Sequence, residues 1–320
     1  MVTLSIIMPV YNVSAYLGTA IDSIQNQTFS DFEFLIMDDG STDETLHIAN
    51  QYAKQDPRIK VFPRENRKVA ACLNELVTLA NGQYIARMDG DDIAYPTRLE
   101  KQLNYLRNNQ DVAVVGSWVQ TFGERNETWH FRHSDNYSRN LLFFGVTILC
   151  HPTWMLAKSL LLKYPYLDAF RFIIDREWLS RVAIAEPELQ FVAIPEVLLE
   201  YRMHQSSVSG VHQQQQRLRT NNVIDLYLKT FHIHLSADQL TLFSHIAFAE
   251  VVEPTKLPQA GQIIELVQKG ASVFLADDHK VFREKWLRFC LANDALHLAD
   301  KYLSDDEFVF FIEHKYGSNS

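Results

Sequence analysis

The sequence is poor in cysteine and has no long apolar run. Its three cysteines, Cys72, Cys150 and Cys290, lie far apart without CxxC spacing, so we expect reduced core thiols and no zinc site. The longest apolar runs, such as residues 141–150, are shorter than the ~20 residues that a helix needs to cross a bilayer. No basic stretch precedes the first hydrophobic residues, which predicts that there is no signal peptide. These features favour a cytoplasmic protein and leave open a peripheral contact at the inner face of the membrane.

Positive charge is also scarce. The chain has 30 Lys and Arg residues against 39 Asp and Glu residues, a formal net charge of -9. A general nucleic-acid binder needs a basic surface to engage phosphates, so no nucleic-acid partner is expected. A small anionic ligand remains compatible with this charge, because a bound metal ion supplies positive charge locally.

Three motifs of well-known enzyme classes are missing. The sequence has no G-x-G-x-x-G after its first predicted strand, no G-x-x-x-x-G-K-[ST] and no G-x-S-x-G. Dehydrogenases, P-loop enzymes and hydrolases with a nucleophile elbow therefore lose their best support.

The first half of the chain alternates apolar strands with amphipathic helices. We predict four strands, at residues 5–10, 33–37, 59–62 and 84–88. Between them, apolar residues recur at the i, i+3, i+4, i+7 spacing of one helix face. Those faces are Leu17, Ala20, Ile21 and Ile24, then Leu46, Ala49 and Tyr52, then Val69, Leu73, Leu76 and Ala80. This alternation predicts an α/β fold with a mostly parallel sheet flanked by helices, in which ligands bind beyond the carboxyl ends of the strands.

The remainder of the chain predicts a helical second part. The pattern of residues 116–210 is less regular, with one helix at 175–185, and beyond Gln213 helical stripes continue to the end. We therefore place one domain at residues 1–212 and an α-helical C-terminal region at 213–320. From the sequence, that region is compatible with a lid, a homodimer surface or a dock for a membrane-bound acceptor.

Polar residues follow three of the four predicted strands. Tyr11 and Asn12 come after the first strand, residues 38–41 after the second and residues 89–92 after the fourth. Because the carboxyl ends of parallel strands meet at one edge of the sheet, we expect these acidic residues to converge there.

Residues 38–44 have two interpretations. Ser41 and Glu44 have the spacing of a capping box, which predicts an ordinary turn from a strand into a helix. That interpretation does not account for two adjacent acids, Asp38 and Asp39, at the end of the strand. A carboxylate there can instead accept a hydrogen bond from a nucleobase N–H or a ribose hydroxyl, and the residues alone leave both interpretations open.

The segment Asp89-Gly90-Asp91-Asp92 favours a metal site. Three carboxylates within four residues repel one another unless a cation neutralises them. Mg²⁺ and Mn²⁺ typically take one or two carboxylates together with phosphate oxygens of a substrate. Gly90 permits a tight turn and the close approach of a ligand. The alternative is an acidic turn ahead of a helix that starts near Pro96.

Asp175 and His204 are further candidates on chemical grounds. A carboxylate such as Asp175 can accept the proton of an attacking hydroxyl, although Asp175-Arg176-Glu177 also fits an ordinary surface helix. His204 is a candidate metal ligand or phosphate contact, and a structural histidine is its alternative.

These motifs, in this order, resemble those of the family-2 glycosyltransferases, which have the GT-A fold and use nucleotide-diphospho-sugars. The segments that carry the resemblance are residues 5–12, 23–29, 38–43, 81–102 and 114–117. The resemblance is close up to about residue 120, looser to about 210, and does not cover the helical tail.

The resemblance implies roles for residues on the donor side. Pro9 and Tyr11 would line the nucleotide pocket, and Asp39 would hydrogen-bond the base, usually uracil. Asp89 would contact the ribose side of the nucleotide. Asp91 would hold the divalent metal, Mn²⁺ or Mg²⁺, that bridges the diphosphate.

The resemblance also implies how transfer would occur. Asp175 matches the catalytic base of the family, so the enzyme would be an inverting hexosyltransferase that activates an acceptor hydroxyl. His204 lies in a Tyr-Arg-x-His segment like the one that reaches the metal or diphosphate in many members. Trp154 lies in a segment near the acceptor side, where it would stack on a sugar ring, and a core aromatic residue is its alternative.

Two positions depart from the family pattern. The Glu that usually precedes the base is Ile174 here, which makes Glu177 a second candidate for the base. The glycine expected before Leu73 and Asn74 is Lys68, whose side chain we expect to be solvated.

Two other functions remain open from the sequence. One is a non-catalytic nucleotide-sugar or partner-binding protein with a transferase-like domain. The other is a nucleotidyltransferase, which needs a basic Gly-rich loop after the first strand, where this chain has residues 11–14. The resemblance favours a UDP-sugar donor and a glycan or glycolipid acceptor in polysaccharide biosynthesis.

Overall fold

A computed structural model describes residues 2–131, 135–204, 213–271 and 280–299. The described residues of 1–135 and 147–219 form one unit, and those of 136–146 and 220–320 form another. Residues 136–146 thus group with the C-terminal helices, although they lie inside the first half of the chain. The domain boundary near residue 212 stays a prediction.

The four predicted strands form the parallel part of the sheet. They are β1 (Leu4–Val10), β2 (Phe32–Asp38), β3 (Ile59–Pro63) and β4 (Tyr84–Arg87), adjacent in the order β3-β2-β1-β4. All three pairings are parallel. Strands β1 and β2 are buried along nearly their whole length, because helices cover both faces of a parallel sheet. The prediction of an α/β fold with these parallel strands is confirmed.

The second half of the sheet mixes directions. Its strands are β5 (Ile93–Ala94), β6 (Val112–Gly123), β7 (Thr128–Trp129), β8 (Met155–Ala157) and β9 (Gln190–Met203). Strand β8 runs antiparallel between β4 and β6, and the long strands β6 and β9 pair in parallel with register shifts. Strand β5 lies antiparallel on the outer side of β9, directly after the acidic segment. The chain therefore brings the end of β9 back to the loop that follows β4.

Helices flank this sheet and make up the second unit. In chain order they are α1 (Ser14–Gln25), α2 (Thr45–Gln55), α3 (Lys68–Leu79), α4 (Arg98–Asn108), α5 (Asp135–Leu142), α6 (Lys158–Lys163), α7 (Ile174–Ala185), α8 (Gln213–Thr230), α9 (Ala237–Phe248), α10 (Leu257–Ala271) and α11 (Lys280–Ala292). The predicted face of α1 is fully buried in the main core, where the leucines of α4 join it. The predicted helix at 175–185 and the helical character after Gln213 are confirmed for the described residues. No helix in those ranges combines the length and the apolar character that crossing a bilayer requires.

The second unit has an aromatic core of its own. Phe143 lies 4.8 Å from Tyr227 and 5.8 Å from Phe282, measured between ring centroids. Phe144 stacks on Phe243 at 5.1 Å. At the start of α9, Ser236 forms a capping box, which defines where that helix begins.

Glu33 of β2 is a buried carboxylate at the edge of the sheet opposite to the predicted site, where it connects neighbouring segments of the chain. It accepts hydrogen bonds from the Ser5 hydroxyl at 2.7 Å, from the Lys60 ammonium at 2.9 Å and from the backbone and side chain of Asn81. Burial by itself raises the pKa of Glu33, but these bonds outweigh it and lower the pKa to about 2.

We expect Glu33→Gln to lower the free energy of unfolding at neutral pH by up to about 3 kcal/mol. The folded pKa of Glu33 lies below its ordinary value of 4.5, so its contribution is present above that pH and is lost as the pH falls toward about 2. The difference in stability between variant and wild type should therefore shrink across this window, as measured by urea denaturation in a pH series. The exposed Glu188→Gln variant is the control and should match the wild type throughout. A loss in Glu33→Gln that is independent of pH would contradict the assignment.

Candidate active site

The acidic segment after β4 gathers its three carboxylates at one point. One oxygen from each of Asp89, Asp91 and Asp92 lies within 4.8 Å of the others. Among the described residues, this is the one such group of three or more metal-ligating side chains. We call residues 89–92 the acid loop.

Gly90 lets the acid loop lie directly on the end of β1. A Cβ atom at this position would be 2.8 Å from Val10 Cγ1 and 3.1 Å from Val13 Cγ2. Valine side chains are stiff and cannot easily move aside, so only glycine fits without a shift of the loop. Gly90 thus fixes how close the carboxylates come to the end of the first strand.

Two buried arginines form hydrogen bonds that hold the acid loop and the strand end before it. Arg87 donates from both terminal nitrogens to the two oxygens of Asp89, at 2.7 Å each. The fully buried Arg98 donates to the backbone carbonyl of Arg87 at 2.6 Å. Burial raises the pKa of Asp89, while the charge of Arg87 opposes this shift. Arg87 therefore neutralises one of the three carboxylates.

Asp92 retains an unsatisfied oxygen. Its Oδ1 accepts the backbone N–H of Arg202 at 2.9 Å, while its Oδ2 is buried and has no hydrogen-bond partner among the described residues. Burial raises the pKa of Asp92, and the charges of Asp91 and Asp89 raise it further. Buried polar atoms are normally paired, so this oxygen is an acceptor that the described residues leave unused.

His204, directly after β9, lies against one member of this group. Its Nε2 lies 3.0 Å from Asp91 Oδ2, although the two residues are 113 positions apart in the sequence. The structure therefore brings together the two residues for which the sequence predicted a role at the metal. Carboxylate oxygens with one imidazole nitrogen suit Mn²⁺ or Mg²⁺, and a cation would offset the repulsion among the acids. The donor set fits a divalent metal.

The predicted nucleotide residues lie at the neighbouring strand ends. Tyr11 follows β1 with 49% of its surface exposed, whereas Asp39 follows β2 and is 5% exposed. Asp39 accepts the backbone N–H groups of Arg67 and Lys68 at 2.8 Å each, at the start of α3. A carboxylate has further lone pairs, so these bonds leave acceptor capacity for a ligand. Pro9 lies in β1 beside Met37 of β2.

Lys68 occupies a backbone conformation that favours glycine. Its φ is 71°, in the left-handed region that side chains with a Cβ rarely adopt. This provides a physical reason for glycine at the matching position of the family that the sequence resembles. The Lys68 residue itself is exposed.

The capping box, one of the two interpretations of residues 38–44, does not form between Ser41 and Glu44. Helix α2 begins at Thr45, and Glu44 makes no side-chain cap bond. Ser41 instead accepts the backbone N–H of Asn12 at 2.9 Å. Asp43 accepts the backbone N–H groups of Ser14 and Thr45, and these bonds outweigh burial and lower its pKa to about 2. The segment therefore ties the loop after β2 to the loop after β1 and shapes the rim beside the nucleotide residues.

The two candidates for the base occupy different environments in the first turn of α7. Asp175 is half-buried, whereas Glu177 is 1% exposed. Glu177 also forms an ion pair with Arg181, with N–O distances of 2.6 and 3.0 Å. A carboxylate that is buried and paired in this way is not available to a hydroxyl from solvent.

Tyr166 is a buried phenol whose pKa responds to charges from both α7 and the acid loop. Burial raises the pKa of the Tyr166 phenol; the charge of Arg87 lowers it, and the charges of Asp175 and Asp89 raise it. The charges of Asp175 and Asp89 therefore both act on one buried hydroxyl. That hydroxyl is 2.9 Å from His151 Nε2.

Trp154 is fully buried. Its ring packs edge-on against His151 at 4.5 Å and against Trp178 at 5.3 Å. This burial agrees with the alternative that Trp154 is a core aromatic residue, because its ring contacts other side chains.

Arg87 and Arg202 contribute to the site without having been predicted from the sequence. Arg87 could have been suspected, because a basic residue two positions before an acid at a strand end can pair with it. Arg202 belongs to the Tyr-Arg-x-His segment that ends in His204, but its partners lie 110 and 111 positions away, so spacing along the chain did not predict them.

Comparisons with known proteins show which family the chain is similar to. A model of glycosyl transferase family 2 matches residues 5–164, which is half of the chain. The O-antigen biosynthesis glycosyltransferase WbnJ of Escherichia coli is 34% identical over 209 residues, covering 64% of this chain and 81% of that protein.

Solved structures show the same fold. S. aureus TarS 1-349 in complex with UDP-GlcNAc superposes with a TM-score of 0.62 at 16% identity, covering 95% of this chain and 94% of that one. The mannosyltransferase PcManGT of Pyrobaculum calidifontis, in complex with GDP-Man and Mn2+, superposes with a TM-score of 0.56 at 17% identity, covering 93% and 87%. The expected GT-A fold is therefore confirmed.

Proposed function

The chain belongs to glycosyl transferase family 2 and is a glycosyltransferase, and on this premise we propose that it is a metal-dependent, inverting enzyme with a nucleoside diphosphate sugar as donor. The observation that carries the proposal is the cluster of the three acid-loop carboxylates, with His204 Nε2 lying 3.0 Å from Asp91 Oδ2.

On the donor side, each residue has one task. Asp91 and His204 would hold a divalent metal, Mn²⁺ or Mg²⁺, and the bound metal would supply positive charge to offset the charge that develops on the leaving nucleoside diphosphate. Asp89, oriented by Arg87, contacts the ribose side of the nucleotide. Asp39 accepts a hydrogen bond from the base. Tyr11, with Pro9, lines the pocket around it.

On the acceptor side, Asp175 is the general base. The acceptor oxygen forms its bond to the anomeric carbon as the bond to the diphosphate oxygen breaks, and the hydroxyl proton passes to the Asp175 carboxylate. This direct displacement inverts the configuration at the anomeric carbon. The burial and ion pair of Glu177 support Asp175 over Glu177 as the base.

The donor is a UDP-sugar in this proposal, and the acceptor is a hydroxyl of a growing surface glycan or glycolipid. TarS binds UDP-GlcNAc and PcManGT binds GDP-Man, so nucleotides of both kinds occur on this fold. WbnJ is named for O-antigen biosynthesis, which supports a polysaccharide acceptor. A cytoplasmic location with peripheral membrane contact, and a role for the helical region as lid, dimer surface or dock, belong to the same proposal.

A thermal-shift panel tests the donor half. UDP, GDP, CDP and dTDP are each added with and without Mn²⁺, and the midpoint of unfolding is measured. We expect UDP with Mn²⁺ to give the largest increase, since a ligand at ~100 times its Kd stabilises the fold by roughly 2.7 kcal/mol. A panel in which no nucleotide raises the midpoint contradicts the proposal. A larger increase with GDP would change the proposed nucleobase from uracil to guanine, and the donor would still be a nucleoside diphosphate sugar.

A further inference from the structure

Arg202 connects the end of β9 to the acid loop in two ways. Its backbone N–H donates to Asp92 Oδ1 at 2.9 Å. Its side-chain Nε donates to the backbone carbonyl of Asp91 at 2.8 Å. One bond holds a carboxylate and the other holds the loop backbone, so a single residue fixes both the position and the orientation of this end of the loop.

The guanidinium of Arg202 is itself held between two aromatic rings. Its central carbon lies 4.5 Å from the centroid of the Tyr16 ring and 4.3 Å from that of the Phe122 ring. Both distances are within the ~6 Å range of cation–π attraction. Tyr16 belongs to α1 and Phe122 to β6, so three separate elements determine where one planar group lies. We call these three side chains the Arg202 stack.

The Arg202 stack also borders the histidine of the site. The Tyr16 ring lies 5.2 Å from the ring of His204, between centroids, and His204 in turn lies 3.0 Å from Asp91. Tyr16 therefore contacts both the arginine that holds the acid loop and the histidine that faces it. Mutually repelling carboxylates would otherwise favour a more open loop, because spreading them lowers their electrostatic energy.

We propose that Arg202 is a positioning residue that holds the acid loop and His204 at the spacing which a divalent metal requires, with Tyr16 and Phe122 as its supports. This inference rests on the proposed function. It assigns Arg202 no contact with the reacting atoms, since its effect passes through Asp91, Asp92 and the strand end that carries His204.

Arg202→Lys tests this role, because lysine retains the positive charge but has neither the planar group nor the Nε donor. Isothermal titration calorimetry of Mn²⁺ in the presence of UDP should show metal affinity weakened by about tenfold or more, as is typical when a residue that orients a ligand is replaced. UDP-sugar turnover should need correspondingly more Mn²⁺ for half-maximal rate, and excess Mn²⁺ should restore much of kcat. A purely structural residue would lower the folded fraction without changing the Mn²⁺ requirement.

A matched control is available at Arg58. This arginine also lies over a ring, 4.4 Å from that of Phe32, and forms a 2.7 Å ion pair with Asp56, but it belongs to the opposite edge of the sheet. Arg58→Lys should keep the wild-type affinity for Mn²⁺ even if it is less stable.

Substitutions of Tyr16 provide a second variant pair in case Arg202→Lys does not fold. Tyr16→Phe keeps the ring and should retain Mn²⁺ affinity, whereas Tyr16→Leu should weaken it. Unchanged Mn²⁺ affinity in the folded Arg202→Lys protein, or in Tyr16→Leu where the former does not fold, overturns the positioning role. A wild-type protein that binds neither UDP nor Mn²⁺ refutes the proposed function instead, so the two failures are distinguishable.

Discussion

We expect Asp91→Asn to eliminate the Mn²⁺-dependent part of nucleotide binding and to slow sugar transfer by about a thousandfold or more. The substitution keeps the size of the side chain and removes the charge that faces His204 at 3.0 Å. Loss of metal stabilisation of the leaving group is worth several kcal/mol, and each ~1.4 kcal/mol is a factor of ten in rate. The rate is measured as release of the nucleoside diphosphate from the donor sugar, with a glycan or water as acceptor. Metal binding is measured by calorimetry.

Asp31→Asn is the matched control for this prediction. Asp31 is exposed and accepts a hydrogen bond from Thr3 at 2.9 Å, at the start of β2 rather than at its carboxyl end. The same chemical change there should leave metal binding and transfer as in the wild type. If Asp91→Asn keeps an undiminished Mn²⁺-dependent shift, the metal does not bind at the acid loop.

We expect Asp175→Asn to lower kcat for transfer to an acceptor hydroxyl by about 10²- to 10⁴-fold, the usual contribution of general-base catalysis. Asparagine cannot accept the hydroxyl proton. The affinity for nucleotide and Mn²⁺ should be unchanged, because Asp175 belongs to α7 and not to the acid loop. Donor binding by calorimetry and turnover with a glycan acceptor separate the two effects.

Two neighbouring acids provide controls for this result. Asp168, exposed and just ahead of α7, should tolerate substitution by asparagine without loss of kcat. Glu177→Gln removes the charge from a buried ion pair with Arg181, so it should lower the midpoint of thermal unfolding while the folded protein keeps its kcat. Full transfer by Asp175→Asn together with a large loss of kcat in Glu177→Gln would move the base to Glu177.

Regular patterns in the sequence predicted the first half of the fold. Strands β1 to β4 appear where apolar runs indicate them, and helices α1 to α3 appear where apolar residues recur at helical spacing. Strands β5 and β7 have two residues each and β8 has three, so none has a readable period. They exist because longer neighbouring strands supply their hydrogen bonds.

Local motifs were less reliable where a distant partner competed for the same atoms. Ser41 has the spacing to cap α2, yet its hydroxyl accepts from Asn12 of another loop. Trp154 suits a sugar platform by its position in the sequence, yet the structure surrounds it with side chains. In both cases the tertiary neighbours, which spacing along the chain does not encode, decide what the residue contacts.

The sequence by itself determined the α/β class, the family resemblance and the acidic segment at the end of β4, because those depend on residues that are near one another in the chain. Only the tertiary structure decided that His204 lies against Asp91, that Asp92 accepts the backbone N–H of Arg202, and that the Arg202 side chain holds the loop. The physical reason is the return of β9 beside β6 and β5, which brings residues more than a hundred positions downstream to the edge where the first strands end.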